Sequence, residues 1–520
     1  MLVVKKHQKL ILNLREPERV LALIPTAQLV EHNDKNLVVV PHRLDEVRVL
    51  RNLGFDTPHP VRYYYEFTGR FKPYEHQVQT VEFLDTNEAA FCLNDMGSGK
   101  TVSVLWAYDY ARQRGAAAKM LVLGPLSTLE RTWADEVFHS TPHLTCVTLH
   151  GTAEKRLKRL ETNADIFVIN HDGIKSKPVL ERLEAMVESG EISHVVVDEL
   201  ASFRNAATER WKALNRLTKN AKVKWGLTGT PIPNEPTDAW AQIRLISPGR
   251  VPKYFTAFRE AVMRQMGQYK WVSRDNALEH VYSVMQPAIR FSREQCIDLP
   301  PTTYMTREVQ LSPEQSGAYK QMLAKFRADF SQGQVTAVNE AAKLMKLLQI
   351  VCATVYTDDG NVILPAPHRV ETVEEIIDEA GAKVIVFVPL TGALENLAAA
   401  LSKKYSVAVI HGGTSKAERD RIFGEFQRDK NPRVLVANPG AMSHGLTLTA
   451  ANVIVWFAPI NSAEIYEQAN ARIVRPGQKL NTLIVHIEGS ALERKMYERL
   501  QRKTHTQGLL LEMFKDTESA

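Results

Sequence analysis

The sequence predicts an α/β protein made of two separate parallel-sheet lobes, with helical insertions and a small α/β unit ahead of them. Three observations carry this. Short apolar runs, each followed by a loop and an amphipathic helical stretch, recur in two blocks, the alternation that parallel sheets require. Ten such runs would make an unusually wide single sheet. A chain of 520 residues also exceeds what one hydrophobic core organises.

The first block runs from about Phe71 to Asn234. Its strand candidates are AAFCL (89–93), KMLVLG (119–124), DIFVIN (165–170), HVVVDE (194–199) and VKWGLTG (223–229), with helical stretches such as WADEVFH (133–139) between them. The second block, from about Lys383 to His486, offers KVIVFV (383–388), VAVIHG (407–412), RVLVAN (433–438), NVIVWF (452–457) and TLIVHI (482–487). The segment between the blocks has long helical periodicity, as in 318–330 and 338–351, and is expected to be mostly helical insertion and linker. Ahead of the first block, NLVVVPHR (36–43) reads as a strand and LDEVRVLRNLGF (44–55) as a helix ended by Gly54. The amphipathic stretch 491–514 reads as a C-terminal helix. The expected division is 1–70, 71–240, 241–380, 381–490 and 491–520.

Composition narrows the class. The chain is 44% hydrophobic and 24% charged, an ordinary globular balance. Its net charge of +6 permits a nucleic-acid partner without requiring one. Cys92, Cys146, Cys296 and Cys352 are far apart in sequence, so no zinc-ligand spacing exists and a reduced, intracellular protein is expected. No apolar run approaches the ~20 residues that span a bilayer. The N-terminal stretch is interrupted by charges, unlike a signal peptide.

The sharpest motif is NDMGSGKT, residues 94–101, between an apolar strand and a helical stretch. That context is what a phosphate-binding loop needs. The glycines let the backbone turn several N–H groups toward one anion, and the following helix adds its positive dipole end. Met96, Gly97, Ser98, Gly99, Lys100 and Thr101 are the candidate cradle, Lys100 reaching the outer phosphates and Thr101 holding Mg²⁺. Asn94 stands where the strict pattern has glycine. Asp198 and Glu199 follow a buried-type strand, where one carboxylate can hold the metal and the other polarise the attacking water.

These residues resemble the Snf2-like branch of superfamily 2 helicases and translocases, over roughly residues 71–488 and with the motifs in the family's order. KPYEHQVQTVEFL (72–84) is similar to the entry motif, in which Gln77 would read adenine. NDMGSGKT resembles motif I, LVLGPLSTLERTW (121–133) motif Ia, FVINHDGI (167–174) motif Ib, VVVDELASFRN (195–205) motif II and GLTGTPIPN (226–234) motif III. In the second block, KVIVFVPL resembles motif IV, 411–427 the unit after it, 437–457 motif V and YEQANARIVRPGQ (466–478) motif VI. The spacing in motif VI puts Gln468, Arg472 and Arg475 on one helical face. Arginines there would meet a γ-phosphate, an effect worth ~10³–10⁵ in rate in other nucleotide hydrolases. Ala201 stands where the family commonly has histidine, which puts the coupling of motif II to motif III in question. Segments 245–258, 289–301 and 345–360 are similar to the family's linker and insertions, which plain unwinding helicases lack.

The resemblance implies two RecA-like lobes, ATP and Mg²⁺ as cofactors, and non-sequence-specific duplex or forked DNA as partner. Gly445 joins the nucleotide set. Ser127, Asn170, His171, Gly412, Asn438, His444 and Thr447 are candidate backbone contacts, although a loop histidine such as His171 is more often an ordinary loop residue. The basic stretch 155–160 is more simply a solvated helix face. Compact chains of this type resemble members from bacteria and their viruses, implying a cytoplasmic location in the bacterial or infected host cell. A strand-separating DNA or RNA helicase, and an ATP-switched scaffold that does not move, would share the same ATP site.

Overall fold

Continuous apolar runs are what strands buried on both faces need, and they form the interior of two sheets. The computed structural model describes residues 1–514 apart from 33–34, 71, 127, 269, 297–299, 326, 331–332, 337–339, 358–359, 443–446 and 476. Contacts divide the chain into two units. The first holds Met1–Gly229, Ala239–Ala261 and His280–Ser292, and the second holds Thr230–Asp238, Val262–Glu279 and Arg293–Ala520.

The first unit is built on a seven-stranded parallel sheet. Its strands are β1 (Ala89–Cys92), β2 (Lys119–Gly124), β3 (Cys146–Leu149), β4 (Ile166–Asn170), β5 (Ile192–Val197), β6 (Val223–Leu227) and β7 (Ala288–Ile289), in the order β7-β1-β6-β5-β2-β4-β3. Every residue of β5 is buried. Helices α1 (Glu75–Thr86) and α2 (Lys100–Gln113) pack on the sheet, and Trp106, Tyr108, Trp133 and Trp225 fill the layer between.

Ahead of this sheet, Leu2–Val4, Lys9–Asn13, Lys35–Pro41 and Gln28–His32 pair in that order as an antiparallel sheet. Helix Leu44–Asn52 lays Val47 and Leu50 on its core, and Gly54, at φ 87°, follows that helix. Ion pairs join the segment after this small α/β piece to α1, buried at His59 and Asp85 and partly exposed at Arg62. His59 Nε2 lies 3.4 Å from Asp85 Oδ2, Arg114 pairs with Asp85, and Arg62 pairs with Glu75 (2.6 Å) and Glu82.

The second unit has a six-stranded parallel sheet. Its strands are β8 (Thr302–Glu308), β9 (Lys383–Phe387), β10 (Val407–Ile410), β11 (Val434–Ala437), β12 (Ala451–Trp456) and β13 (Thr482–Glu488), ordered β8-β13-β12-β9-β11-β10. Helices α3 (Pro367–Glu379), α4 (Ala463–Asn470) and α5 (Ala491–Met513) belong to it. Arg369 of α3 and Glu493 of α5 form a bidentate pair of 2.8 and 3.0 Å, with side-chain exposures of 2% and 0%. Glu493 also accepts from Gly489 N and Ser490 Oγ, and Arg369 donates to Phe457 O. Both terminal nitrogens of Arg369 and both oxygens of Glu493 are thus hydrogen-bonded, which is what lets such a pair be buried.

The ten strands read from the sequence are the sheet interiors and β10. The three that were not, β3, β7 and β8, all lie at sheet edges. An edge strand needs no continuous apolar run, and β8 is largely exposed. The segment 241–380 is less helical than expected. It supplies β7 and β8, and it carries the hairpins Met263–Gln265/Trp271–Ser273 and Thr354–Thr357/Gly360–Ile363. The helix expected over 318–330 ends at Lys325. All four cysteines are free thiols, and no helix among the described residues is long and apolar enough to cross a membrane.

Two stability predictions follow from these burials. Glu493→Ala strands Arg369 in the interior and should cost roughly 3–5 kcal/mol, read as a lowered urea midpoint. His194, between the rings of Tyr108 and Trp225, is pushed down to about 3 by burial. It is therefore neutral in the fold, while the unfolded chain protonates it below the ordinary histidine value of 6.5. Its contribution falls by about 1.4 kcal/mol per pH unit as acid is added. His194→Leu should remove that share of the pH slope in urea titrations.

Candidate functional site

At the head of the first sheet, β1 runs through Leu93 and Asn94 into a tight loop that ends at the first residue of α2. Gly97 and Gly99 both sit at φ 84°, a conformation that costs a side-chain-bearing residue strain. The first turn of α2 leaves its N–H groups without acceptors inside the helix. Lys100 Nζ donates to Asn94 O at 2.8 Å and Asp95 O at 3.1 Å, so its ammonium is held across the hollow of the loop. Ser98 is buried, and its Oγ has no hydrogen-bond partner.

Asn94 explains the departure from the glycine pattern. It is 1% exposed, its Nδ2 donates to Thr80 Oγ1 at 2.9 Å, and its Oδ1 accepts from Phe291 N at 2.9 Å. A glycine would lose both ties. Gln77, on α1, accepts from Tyr74 N at 3.0 Å and donates to Ser98 O at 3.2 Å. His76 Nε2 also bonds Ser98 O, at 2.8 Å, and its ring stacks on the exposed Tyr74. Burial lowers the His76 pKa, with the Ser98 bond pulling the other way. Beneath the loop, Arg290 donates to Leu93 O (2.8 Å), Phe291 O (3.0 Å) and Asp95 Oδ1 (2.7 Å).

Asp198 and Glu199 follow β5, separated from the loop strand β1 only by β6. Asp198 Oδ2 accepts from the indole Nε1 of Trp133 at 3.0 Å, and Oδ1 accepts from Glu199 N at 3.0 Å. Burial raises the Asp198 carboxyl, while the Trp133 N–H, the Lys100 ammonium and the Glu199 N–H pull it down. Glu199 itself is left-handed, at φ 51° and ψ 53°. For a residue with a long side chain that conformation costs about 1–3 kcal/mol and persists only where its surroundings impose it.

The second unit places Gln468 on α4, but the helix stops at Asn470, so Arg472 and Arg475 lie on the turn after it rather than on a shared helical face. Asn470 Oδ1 accepts from Trp456 Nε1 at 2.9 Å. Beyond it the backbone tightens, with Arg472 N bonding Ala469 O and Ile473 N bonding Asn470 O. Gln478 Nε2 then donates to Ile473 O and Ala451 O, and Leu448 N donates to Arg472 O. Gln468 is 1% exposed, and its Nε2 has no hydrogen-bond partner. Arg472 is 2% exposed, with Nε donating to Gln468 O. Arg475 is half-buried, with Nε on Ala471 O at 2.8 Å and Nη1 3.4 Å from Thr447 Oγ1.

The backbone-contact candidates divide. Gly412 and Thr447 are exposed. Asn438 is half-buried, with Nδ2 on Pro389 O and Oδ1 taking Gly440 N. Asn170 Oδ1 takes Arg156 Nη2 at 3.3 Å, so Arg156 of the basic stretch is engaged within the fold. His171 faces inward. It is 6% exposed, its Nε2 lies 2.8 Å from Asp198 O, and its ring meets Phe203 edge-on at 4.8 Å. Ser127, His444 and Gly445 lie outside the described residues. Trp133, His76 and Arg290 had not been singled out. Their only sequence signal is that each stands inside or beside a recognised motif.

With this geometry in hand, the comparisons with known proteins decide the family. A family described as the SNF2-related domain matches residues 76–356, more than half of the chain. The chain belongs to that family. A helicase conserved C-terminal domain matches residues 368–477 of the same SNF2-related chain. Among its relatives is putative protein p41 of Acyrthosiphon pisum secondary endosymbiont phage 1, 27% identical, covering 86% of this chain and 99% of that protein. The yeast (Saccharomyces cerevisiae) ISWI chromatin-remodeling complex ATPase ISW1 is 22% identical over 85% of this chain, but the match spans only 41% of ISW1. Among solved structures, the Sulfolobus solfataricus SWI2/SNF2 ATPase core in complex with dsDNA is similar at 22% identity, with a TM-score of 0.42, over 88% of this chain and 96% of that one. The SNF2-related chain is accordingly a helicase-like, ATP-hydrolysing enzyme.

The contact between His171 and the Asp198 carbonyl gives a prediction for this enzyme. His171→Phe keeps a ring against Phe203 and removes the bond to the peptide that sets Glu199. We expect kcat for ATP to fall roughly fivefold, one hydrogen bond's worth, with KM unchanged and partial recovery in His171→Gln. Steady-state kinetics on the three proteins checks this.

Proposed function

We propose that the chain is a DNA-stimulated ATPase that moves along duplex or forked DNA, using residues 71–240 and 381–490 as its two RecA-like halves. The observation that carries the nucleotide part is the Lys100 ammonium held across a glycine-bent loop by Asn94 O and Asp95 O, at the same edge of a parallel sheet as Asp198 and Glu199. Residues 1–70, 241–380 and 491–520 are assigned as accessory unit, insertions with linker, and C-terminal helix with tail.

Met96 to Thr101 would cradle the phosphates through backbone N–H groups, with Lys100 leaving its loop carbonyls for the outer phosphates. Gln77 would turn its amide from Tyr74 N and Ser98 O to adenine. The donor set suits Mg²⁺, a hard cation that takes carboxylate and hydroxyl oxygen. Thr101 and Asp198 would hold it, and when bound it neutralises charge building on the phosphates. Glu199 would orient the attacking water and take its proton. Arg472 and Arg475, with Gln468, would stabilise the charge of the transferring phosphoryl group. The unpartnered Gln468 Nε2 and Ser98 Oγ are two buried polar atoms that a nucleotide would satisfy.

The DNA part draws on relatives named as chromatin-remodelling ATPases and on the net positive charge of the chain. Gly412, Asn438 and Thr447 would touch backbone phosphate without reading sequence. Repeated closing and opening of the two halves around ATP would then advance the protein, because only a closed state lets both contact the nucleotide.

Lys100→Ala should abolish turnover while leaving DNA binding intact, and Arg475→Ala should keep ATP affinity and lose hydrolysis. Steady-state hydrolysis without nucleic acid, then with single-stranded DNA, blunt duplex, forked DNA and RNA, tests the reading. Stimulation by duplex or forked DNA supports it. Stimulation by single strands or RNA alone favours strand separation, and none by any leaves an ATP-switched scaffold.

A further inference from the structure

In the second unit, Met263–Gln265 and Trp271–Ser273 form a two-stranded antiparallel ribbon. The register pairs Arg264 with Val272 and Gln265 with Trp271. The backbone bonds from Met266 N to Lys270 O and from Arg274 N to Val262 O extend it at both ends. Side chains alternate along a strand, and directly paired residues share a face. Arg264, Met266, Lys270, Val272 and Arg274 therefore share one face of the ribbon.

That face points to solvent. All five residues are exposed, Met266 at 61% and Val272 at 36%. The other face holds Met263, which is 4% exposed, and the half-buried Trp271 beside the exposed Gln265 and Ser273, so the ribbon is anchored at Met263 and stands out from there toward its tip. From Val262 to Arg274 the sequence has three cations and no acid. The side chains of Arg264 and Lys270 make no hydrogen bond or ion pair among the described residues. Arg274 Nε is tied back to Met263 O at 3.1 Å, which stiffens the base of the ribbon.

We infer that this face is a nucleic-acid contact, in which Arg264 and Lys270 meet backbone phosphates and Met266 lies against a base or sugar. The inference rests on the DNA reading above and adds a specific element to it. Cations that flank an apolar side chain at the tip of a ribbon match a polyanion with apolar surface between its charges. A two-stranded ribbon is also narrow enough for a DNA groove. Apolar side chains set among cations press on base steps in other DNA-bending proteins. The chemistry favours places where bases are less well stacked, such as the branch of a fork.

The test is fluorescence anisotropy with labelled blunt duplex and forked DNA over a range of salt. The wild type, Arg264→Ala/Lys270→Ala and Met266→Ala are compared. None of these residues belongs to the ATP site, so hydrolysis without DNA should be unchanged and serves as the check on folding. The double variant should bind both DNAs more weakly, and its salt slope should be shallower by about 1.8, at 0.9 for each lost phosphate contact. Met266→Ala should keep the wild-type slope and lose more affinity for fork than for duplex. Wild-type affinity and slope in the double variant would overturn the inference while leaving the DNA reading intact. So would retained DNA binding with lost binding to vesicles of anionic phospholipid, which would make the ribbon a membrane contact. A wild-type chain that binds neither DNA would overturn the DNA reading itself, and the ribbon's role with it.

Discussion

Parallel strands all end at the same edge of their sheet, and the site in the first unit depends on that constraint. The loop after β1 and the carboxylates after β5 are far apart in sequence, yet only β6 separates their strands. The shared edge places the half-buried Lys100 and Asp198 on loops that follow strands only two positions apart in the sheet. Close packing is needed to achieve it. A Cβ on Gly226 of β6 would meet Leu200 Cδ2 at 2.5 Å, so the turn after Glu199 packs over β6 only because that residue has no side chain. Gly124, at the end of β2, plays a similar part beside Thr128 and Trp133.

The loop between β1 and α2 must also keep its shape, and here the restraint comes from a distant part of the chain. The two-residue strand β7 adds to the outer side of β1, which carries Arg290 beneath the loop and Phe291 N to Asn94. The arginine is 7% exposed, and its charge is met by Asp95 and by two carbonyls. Asn94 therefore belongs to a network that includes the far end of an insertion. The sequence context of the loop shows none of this, because the partner arrives from nearly two hundred residues later.

What was legible in the sequence followed from burial. Strands covered on both faces announce themselves as apolar runs, and all ten such runs form strands of the two sheets. Edge strands carry no such demand, so TTYMTRE and CVTL do not stand out as continuous apolar runs. The turn from β1 into α2 was legible because glycines between an apolar run and a helical stretch mark a sharp change of direction, and Gly97 and Gly99 take positive φ there. The arrangement of Gln468, Arg472 and Arg475 was only half legible. Their spacing fits a helix, but Asn470 is held by Trp456 Nε1 and Gln478 caps the following carbonyls. Those tertiary hydrogen bonds end α4 before the arginines. His171 shows the same limit from the other side, since a histidine beside Asn170 reads as a surface loop until the neighbouring strand is known.

The inward turn of His171 also bears on Ala201, where the family commonly has histidine. Ala201 is fully buried, so the short turn after Glu199 has no polar side chain of its own at that position. The ring on Asp198 O comes instead from the residue after β4, and its edge rests on Phe203 of the same turn. The Asp198–Glu199 peptide is thereby held on the side of Asp198 O by His171, while the Asp198 carboxylate takes Glu199 N. Two restraints on one peptide are a physical reason for Glu199 to remain left-handed. The loop that supplies His171 is itself fixed by Arg156, which bonds both Asn170 Oδ1 and Gly173 O. Residues 170–173 are therefore tied to the Asp198–Glu199 peptide and its turn by one hydrogen bond and one ring contact. In this chain the tie between residues 170–173 and the Asp198–Glu199 peptide runs from the end of β4 to the end of β5, across the sheet, with Phe203 of the following turn as its second support.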